Sequence, residues 1–189
     1  ADVLLVESTY GDRAHPPEDP QQALGAIIRA TLRRGGSVLL PSFAVGRAQA
    51  LMLVLQRLKA AGEIPEDTPV YLDSPMATAA TTLYQKHRRL LRLAAREANT
   101  LCSGVTVVTT PQQSEKVSRT RWPSVIISAS GMATGGRVLH HLKAMAPNPK
   151  HAIVFPGFQV AGTRGAKLVE GASEIKIFGE YVAVKAQVS

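Results

Sequence analysis

The chain is short of three things: cysteine, aromatic side chains and negative charge. Its one cysteine, Cys102, has no partner for an internal disulfide, which excludes a disulfide scaffold. No apolar run approaches the roughly 20 residues that a membrane-spanning helix requires, so no membrane partner is expected. Ala1–Glu7 is apolar but too short for a signal h-region and lacks a basic leader; no targeting segment is expected, and the reading is cytoplasmic. Aromatics are 5% of residues, which argues against a base-stacking sheet of the RRM kind and for contact mainly to a nucleic-acid backbone. The five histidines, His15, His87, His140, His141 and His151, show neither H-x-H nor H-E-x-x-H spacing, so no zinc site is expected within the chain. Carboxylates number 14 against 22 Lys and Arg, a net charge of +8. Such a surplus favours a polyanionic partner, because each phosphate neutralised releases condensed counterions.

What is there is the makings of one core. A chain of 189 residues buries roughly 70% of the surface its unfolded form exposes, without help from a metal or a disulfide. Short apolar runs at Val3–Val6, Ser37–Leu40, Val70–Leu72, Val105–Val108, Val125–Ile127 and Ala152–Phe155 predict strands covered on both faces. Between them, helices are predicted over Gln21–Arg34, Ala48–Ala61, Met76–Tyr84, Arg88–Ala98, Gln112–Val117 and Arg137–Met145. The fold class is therefore α/β, a mainly parallel sheet with helices on both faces. Glu174–Phe178 and Glu180–Val188 alternate around Gly179 and predict an antiparallel hairpin apart from that body.

Ligands of open α/β sheets bind outside the carboxyl ends of strands, and three strand ends carry unusual residues. Glu7-Ser8-Thr9-Tyr10-Gly11 offers a carboxylate that orients a ligand, or simply a turn leaving the strand. Pro41–Gln49 is a strand-to-helix turn with Arg47 near the helix start, suited to an anion, or else Arg47 is an ordinary solvated side chain. Ser128–Arg137 is a small-residue loop in which Ser130, Gly131, Gly135 and Gly136 allow close backbone approach; it has neither the P-loop nor the dinucleotide spacing. Adjacent His140 and His141 point about 100° apart on a helix, which suits a structural or solvated role better than joint ligation. Lys86–Arg96 is basic and amphipathic, with Leu90, Leu93 and Ala94 inward: a solvated face or a phosphate-tracking surface.

Taken together, VESTYGDR at 6–13, PSFAVGRAQ at 41–49, YLDSPMA at 71–77, ISASGMATGGRVLHHL at 127–142 and FPGFQVAGTRG at 155–165 resemble the β-CASP branch of the metallo-β-lactamase superfamily. The match is nearest to bacterial and archaeal RNA-processing nucleases akin to a subunit of the cleavage and polyadenylation specificity factor, and it covers nearly the whole chain in order. The resemblance implies a zinc-dependent ribonuclease of two domains, in which a Rossmann-like β-CASP insert clamps single-stranded RNA over two zinc ions held by a metallo-β-lactamase domain. The H-x-H-x-D-H motif and a histidine beyond Ser189 are absent from this sequence. The expected division is a flanking metallo-β-lactamase strand at 1–11, the β-CASP domain at 12–158 and a returning segment with the hairpin at 159–189. The chain itself is then expected to hold no cofactor and to be inactive, with its own metallo-β-lactamase domain and single-stranded RNA as partners and a homodimer left open.

Carried over by residue, Glu7 matches the acidic position of the family's motif A, and Lys167 falls where relatives place a catalytic histidine; a lysine there stabilises phosphate charge instead. Arg47, Ser130, Gly131, Gly135, Gly136, Arg137, Thr163 and Arg164 are the expected RNA-gripping residues. Two other classes compete: a nucleotide- or phosphosugar-binding α/β domain resting on the loop at Ser130–Arg137, and an interaction module whose basic face docks an acidic protein.

Overall fold

A computed structural model describes residues 2–12, 14–15 and 17–189. Capping residues set where its helices begin. Asp19 accepts from the Gln21 N–H at 2.9 Å and starts α1 (Pro20–Arg33); Ser74 accepts from the Ala77 N–H at 3.2 Å and starts α3 (Pro75–Lys86). Thr110 and Gln113 form a reciprocal capping box at α5 (Pro111–Ser118), and Thr163 caps α7 (Arg164–Val169). Proline occupies the first turn of α1, α3 and α5, where its missing N–H leaves no intrahelical bond unmade. The remaining helices are α2 (Arg47–Ala60), α4 (Ala95–Thr100) and α6 (Val138–Met145).

The strands are β1 (Val38–Pro41), β2 (Val70–Asp73), β3 (Val105–Val107), β4 (Val125–Ser128), β5 (Ala152–Ile153), β6 (Glu174–Ile177), β7 (Glu180–Ala183) and β8 (Gln187–Val188). Six form a parallel sheet in the order β3-β2-β4-β1-β5-β8, and β6 and β7 form the antiparallel hairpin. Period-2 alternation splits the core into two layers. On one face Val38, Leu40 and Ile127 pack with Leu24 and Ile28 of α1 and Leu51, Met52, Leu55 and Leu58 of α2. On the other, Leu39, Ile126 and Ile153 pack with Val138 and Leu142 of α6, Leu168 of α7, and Ile175 and Ile177 of the hairpin. Each fully buried aliphatic contributes about 1.5–3 kcal/mol, so both faces are needed. The α/β reading holds.

Four expectations do not. Val3–Val6 is not a strand: it runs exposed, from 69% at Val6 to 92% at Leu5, because no neighbouring strand pairs with it among the described residues. Arg88–Ala98 is not one helix. After α3 the chain makes a 3₁₀ turn at Arg88–Leu90 and re-enters helix only at Ala95, and Leu90 is 81% exposed. Of the expected stripe Leu90 and Ala94 are exposed and Leu93 is only half-buried, and a short helix without a buried face is not stable in water. β3 is an edge strand with Thr106 and Val107 exposed, not covered on both faces. The second arm of the hairpin ends at Ala183; the Lys185 and Ala186 N–H groups both donate to Ala146 O, and β8 turns away to pair with β5. Leu168, Ile175, Ile177, Val182 and Ala186 pack into the same core layer as Leu39, Ile126 and Ile153.

Candidate functional site

The carboxyl ends of β1, β4 and β5 lie side by side, and the loops leaving them enclose a cleft of about 440 Å³. The Ser42 N–H donates to Ser128 O at 2.9 Å, locking the first two ends together. Gly131 lies against Phe43: a Cβ there would come 3.0 Å from the Phe43 ring and from its backbone nitrogen. Gln159 Nε2 donates to Gly131 O at 3.1 Å and to Gly157 O at 3.1 Å, tying in the third loop. Gln49, itself buried, accepts from the Gly46 N–H and reaches Thr81 Oγ1 at 3.0 Å, so the start of α2 is pinned to α3. Arg47, the first residue of α2, is thus held over the cleft while its guanidinium stays exposed and makes no ion pair among the described residues.

Glu7 lines the same cleft. Its Oε1 accepts from the Thr9 N–H at 2.8 Å, and hydrogen bonds from Thr9 hold its carboxyl below the usual carboxylate range. The turn reading and the site reading of Glu7 therefore coexist. Tyr10 crosses the cleft to accept from the Phe158 N–H at 3.0 Å, and its ring meets Phe158 edge-on. An apolar floor of Phe43 and Phe158 with a carboxylate and a guanidinium at its rim can take a base or sugar and a phosphate side by side.

The other expected residues fall elsewhere. Ser130 is used inside its own loop, where Oγ accepts from the Thr134 N–H at 3.1 Å. Gly136 is required by backbone geometry, with φ +80° and no room for a Cβ, which would sit 2.7 Å from Ala129 O; Gly135 has open space around it. Thr163 caps α7, and Arg164 donates to Lys176 O at 2.9 Å and also to Ala133 O. Lys167 is exposed on α7 and, with Thr163 and Arg164, lines a separate shallow groove of about 230 Å³. The Gly165 N–H donates to Met132 O at 3.0 Å, so that groove adjoins the loop at 130–137.

Arg137 has a different setting from the one expected. It donates to Asp73 Oδ1 at 2.7 Å, to Val108 O at 3.0 Å and to Thr109 O at 2.9 Å, joining the ends of β2 and β3 to α6. Asp73 is fully buried and also binds His141 Nε2 at 2.8 Å and Ser114 Oγ; His141 Nδ1 meets Ser118 Oγ at 2.8 Å. A carboxylate only accepts, so Nε2 carries the proton. Burial opposes ionisation of Asp73, but hydrogen bonds from His141, Ser114 and Arg137 outweigh it and hold the carboxyl below its ordinary range. Sequence reasoning missed this network. The only signal was a charged residue closing an apolar strand, since Asp73 and His141 are 68 positions apart. His141 is fully buried, faces protein on every side and serves as scaffold, whereas exposed His140 lies against the Phe178 ring.

Comparison with known proteins decides the family. A family model described as the Beta-Casp domain matches residues 48–168. The chain belongs to the β-CASP family. Among curated relatives, a ribonuclease of Thermus thermophilus is 38% identical, the match covering 100% of this chain and 44% of that protein. Transcription termination factor FttA of Pyrococcus abyssi is 37% identical over 95% of this chain and 29% of its own length. An RNase J-like protein of Methanocaldococcus jannaschii is 32% identical over 99% and 44%. The β-CASP chain thus spans less than half the length of these relatives. Among its described residues no three His, Cys, Asp or Glu side chains lie together so as to hold a metal, and no helix is long and apolar enough to cross a membrane. The two zinc ions implied by the resemblance find no ligand set among the described residues.

Proposed function

We propose that this β-CASP chain is the RNA-clamping part of an RNA-cutting enzyme, with the hydrolytic metal centre supplied by a metallo-β-lactamase domain that these residues do not include. The observation that supports it most is the convergence in one cleft of Glu7, Arg47 and Gly131 from three of the resembling motifs, beside the aromatic rings of Phe43 and Phe158. In this reading Arg47 contacts RNA phosphate, the aromatic floor takes a base, and Lys167 on the adjoining groove meets the backbone further along. Residues 1–11 and 159–189 belong to the metallo-β-lactamase part, and the exposed apolar run Val3–Val6 is the strand that would pair there. The nucleotide-binding alternative is weaker, because Ser130 and Arg137, the loop groups it needs free, are spent on Thr134 and Asp73.

The test is two assays on the 189-residue chain. Labelled single-stranded RNA should bind with a steep salt dependence, as backbone contact requires, and should survive uncut when zinc is added. Tight mononucleotide binding without oligonucleotide affinity would reverse the assignment, and zinc-dependent cleavage by the pure chain would remove the division of labour.

A further inference from the structure

A second surface lies at the opposite end of the sheet from the cleft, at the amino ends of β4, β1 and β5. The register Val38↔Val125 and Val38↔Ala152 sets these three strand starts side by side. The segments arriving there carry Arg33 and Arg34, Arg121 and Trp122, and Lys150 and His151. They are tied to one another through the backbone. Arg34 donates to Lys150 O at 2.7 Å and to His151 O at 3.3 Å; the Ser37 N–H donates to His151 Nδ1 at 2.9 Å; Ser37 Oγ accepts from the Ser124 N–H at 3.1 Å. The chain around Trp122 is therefore fixed, yet its side chain is 78% exposed.

The field at this edge is positive. Burial lowers the basicity of His151, and the nearby charges of Arg34 and Lys150 lower it further, with no carboxylate offsetting them. Arg33, Arg121 and Lys150 make no ion pair among the described residues. The nearest acidic residues in the chain order of the sheet, Glu66 and Asp67, lie before β2 and act on Lys59. A lone exposed ring on an edge whose segments carry cations is a poor protein-docking face, which needs a wider apolar patch, but it matches a base with its phosphates.

We infer that this edge is a second contact surface for single-stranded RNA, with Trp122 stacking a base and Arg121 and Lys150 holding the adjoining phosphates. The inference rests on the RNA reading of the chain and adds to it a site separated from the cleft by the length of β1, roughly 13 Å at about 3.3 Å per residue. An RNA engaged by both would run past the sheet rather than stop at the cleft.

Trp122 is the only tryptophan in the chain, so its fluorescence reports on this edge alone. Oligouridylate should quench it, with a midpoint that rises steeply with salt. Trp122→Ala should weaken oligonucleotide binding by about five-fold or more, the low end of what one stacked base contributes. Arg121→Gln and Lys150→Gln should each reduce the log–log salt slope by about one. Three results would overturn the inference. Oligonucleotide that binds by anisotropy with tryptophan emission unchanged rejects this surface and leaves the cleft reading standing. No binding by either readout rejects the RNA reading as well. Quenching by polyglutamate at equal or lower concentration shows a face built for an acidic protein.

Discussion

Replacing Arg137 by alanine separates scaffold from grip. The guanidinium is one of three donors to the buried Asp73 carboxylate and the only one that also bonds the carbonyls of Val108 and Thr109. Its side chain is 18% exposed, so solvent does little to screen the pair. Removing one partner of such a pair leaves a buried charge poorly compensated, which costs about 3–5 kcal/mol. For a chain of this size each kcal/mol moves Tm by about 2–4 °C, so Arg137→Ala should lower Tm by about 6–20 °C. The acid limb should move as well. Because the folded pKa of Asp73 is depressed, its contribution is present in full above the unfolded carboxyl value of about 3.9 and is lost as pH falls through the lowered folded value. Without Arg137 that loss should begin at higher pH. Chemical denaturation at a series of pH values measures both effects, and RNA affinity of the folded variant should stay within about two-fold of the parent. A variant that keeps its Tm and its acid limb but loses RNA binding ten-fold would refute the scaffold assignment and restore Arg137 as a phosphate contact.

Arg47→Ala should do the reverse: Tm should hold, oligonucleotide binding should weaken, and the salt slope should fall by about one; isothermal titration at two salt concentrations checks this. Gly131→Ala presses a methyl onto Phe43 and should destabilise by about 1–3 kcal/mol, read by thermal melting, with the cleft distorted in proportion. Leu142→Ala, at the centre of the second core layer, should cost about 2–5 kcal/mol by urea denaturation. Burial pushes the Cys102 thiol up to about 11, so only about one molecule in a thousand carries the thiolate at pH 8, and thiol labelling should be slow until the chain unfolds.

The body of the fold was legible because its signals are local. Apolar runs at 38–40, 70–72 and 125–127 are covered on at least one face by helices whose stripes the sequence also displays. Val3–Val6 misled because an apolar run declares a strand without saying whether its partner lies in the same chain. Arg88–Ala98 misled because helical spacing alone does not provide a surface to bury against. At the site, Arg47 and Gly131 follow the ends of β1 and β4, as the topology implies, and Glu7 lines the same cleft although the run before it is not a strand. The role of Arg137 was not legible: its partner Asp73 is 64 positions away, and a guanidinium beside a glycine-rich loop reads the same whether it faces phosphate or a buried carboxylate.

Photo-crosslinking of single-stranded RNA carrying a reactive uridine, followed by peptide mapping, reaches the clamp proposal most directly. The labelled peptides should include those bearing Tyr10, Phe43 or Phe158, the rings that line the cleft. RNA that binds the chain with salt-dependent affinity yet leaves all three peptides unlabelled would contradict it.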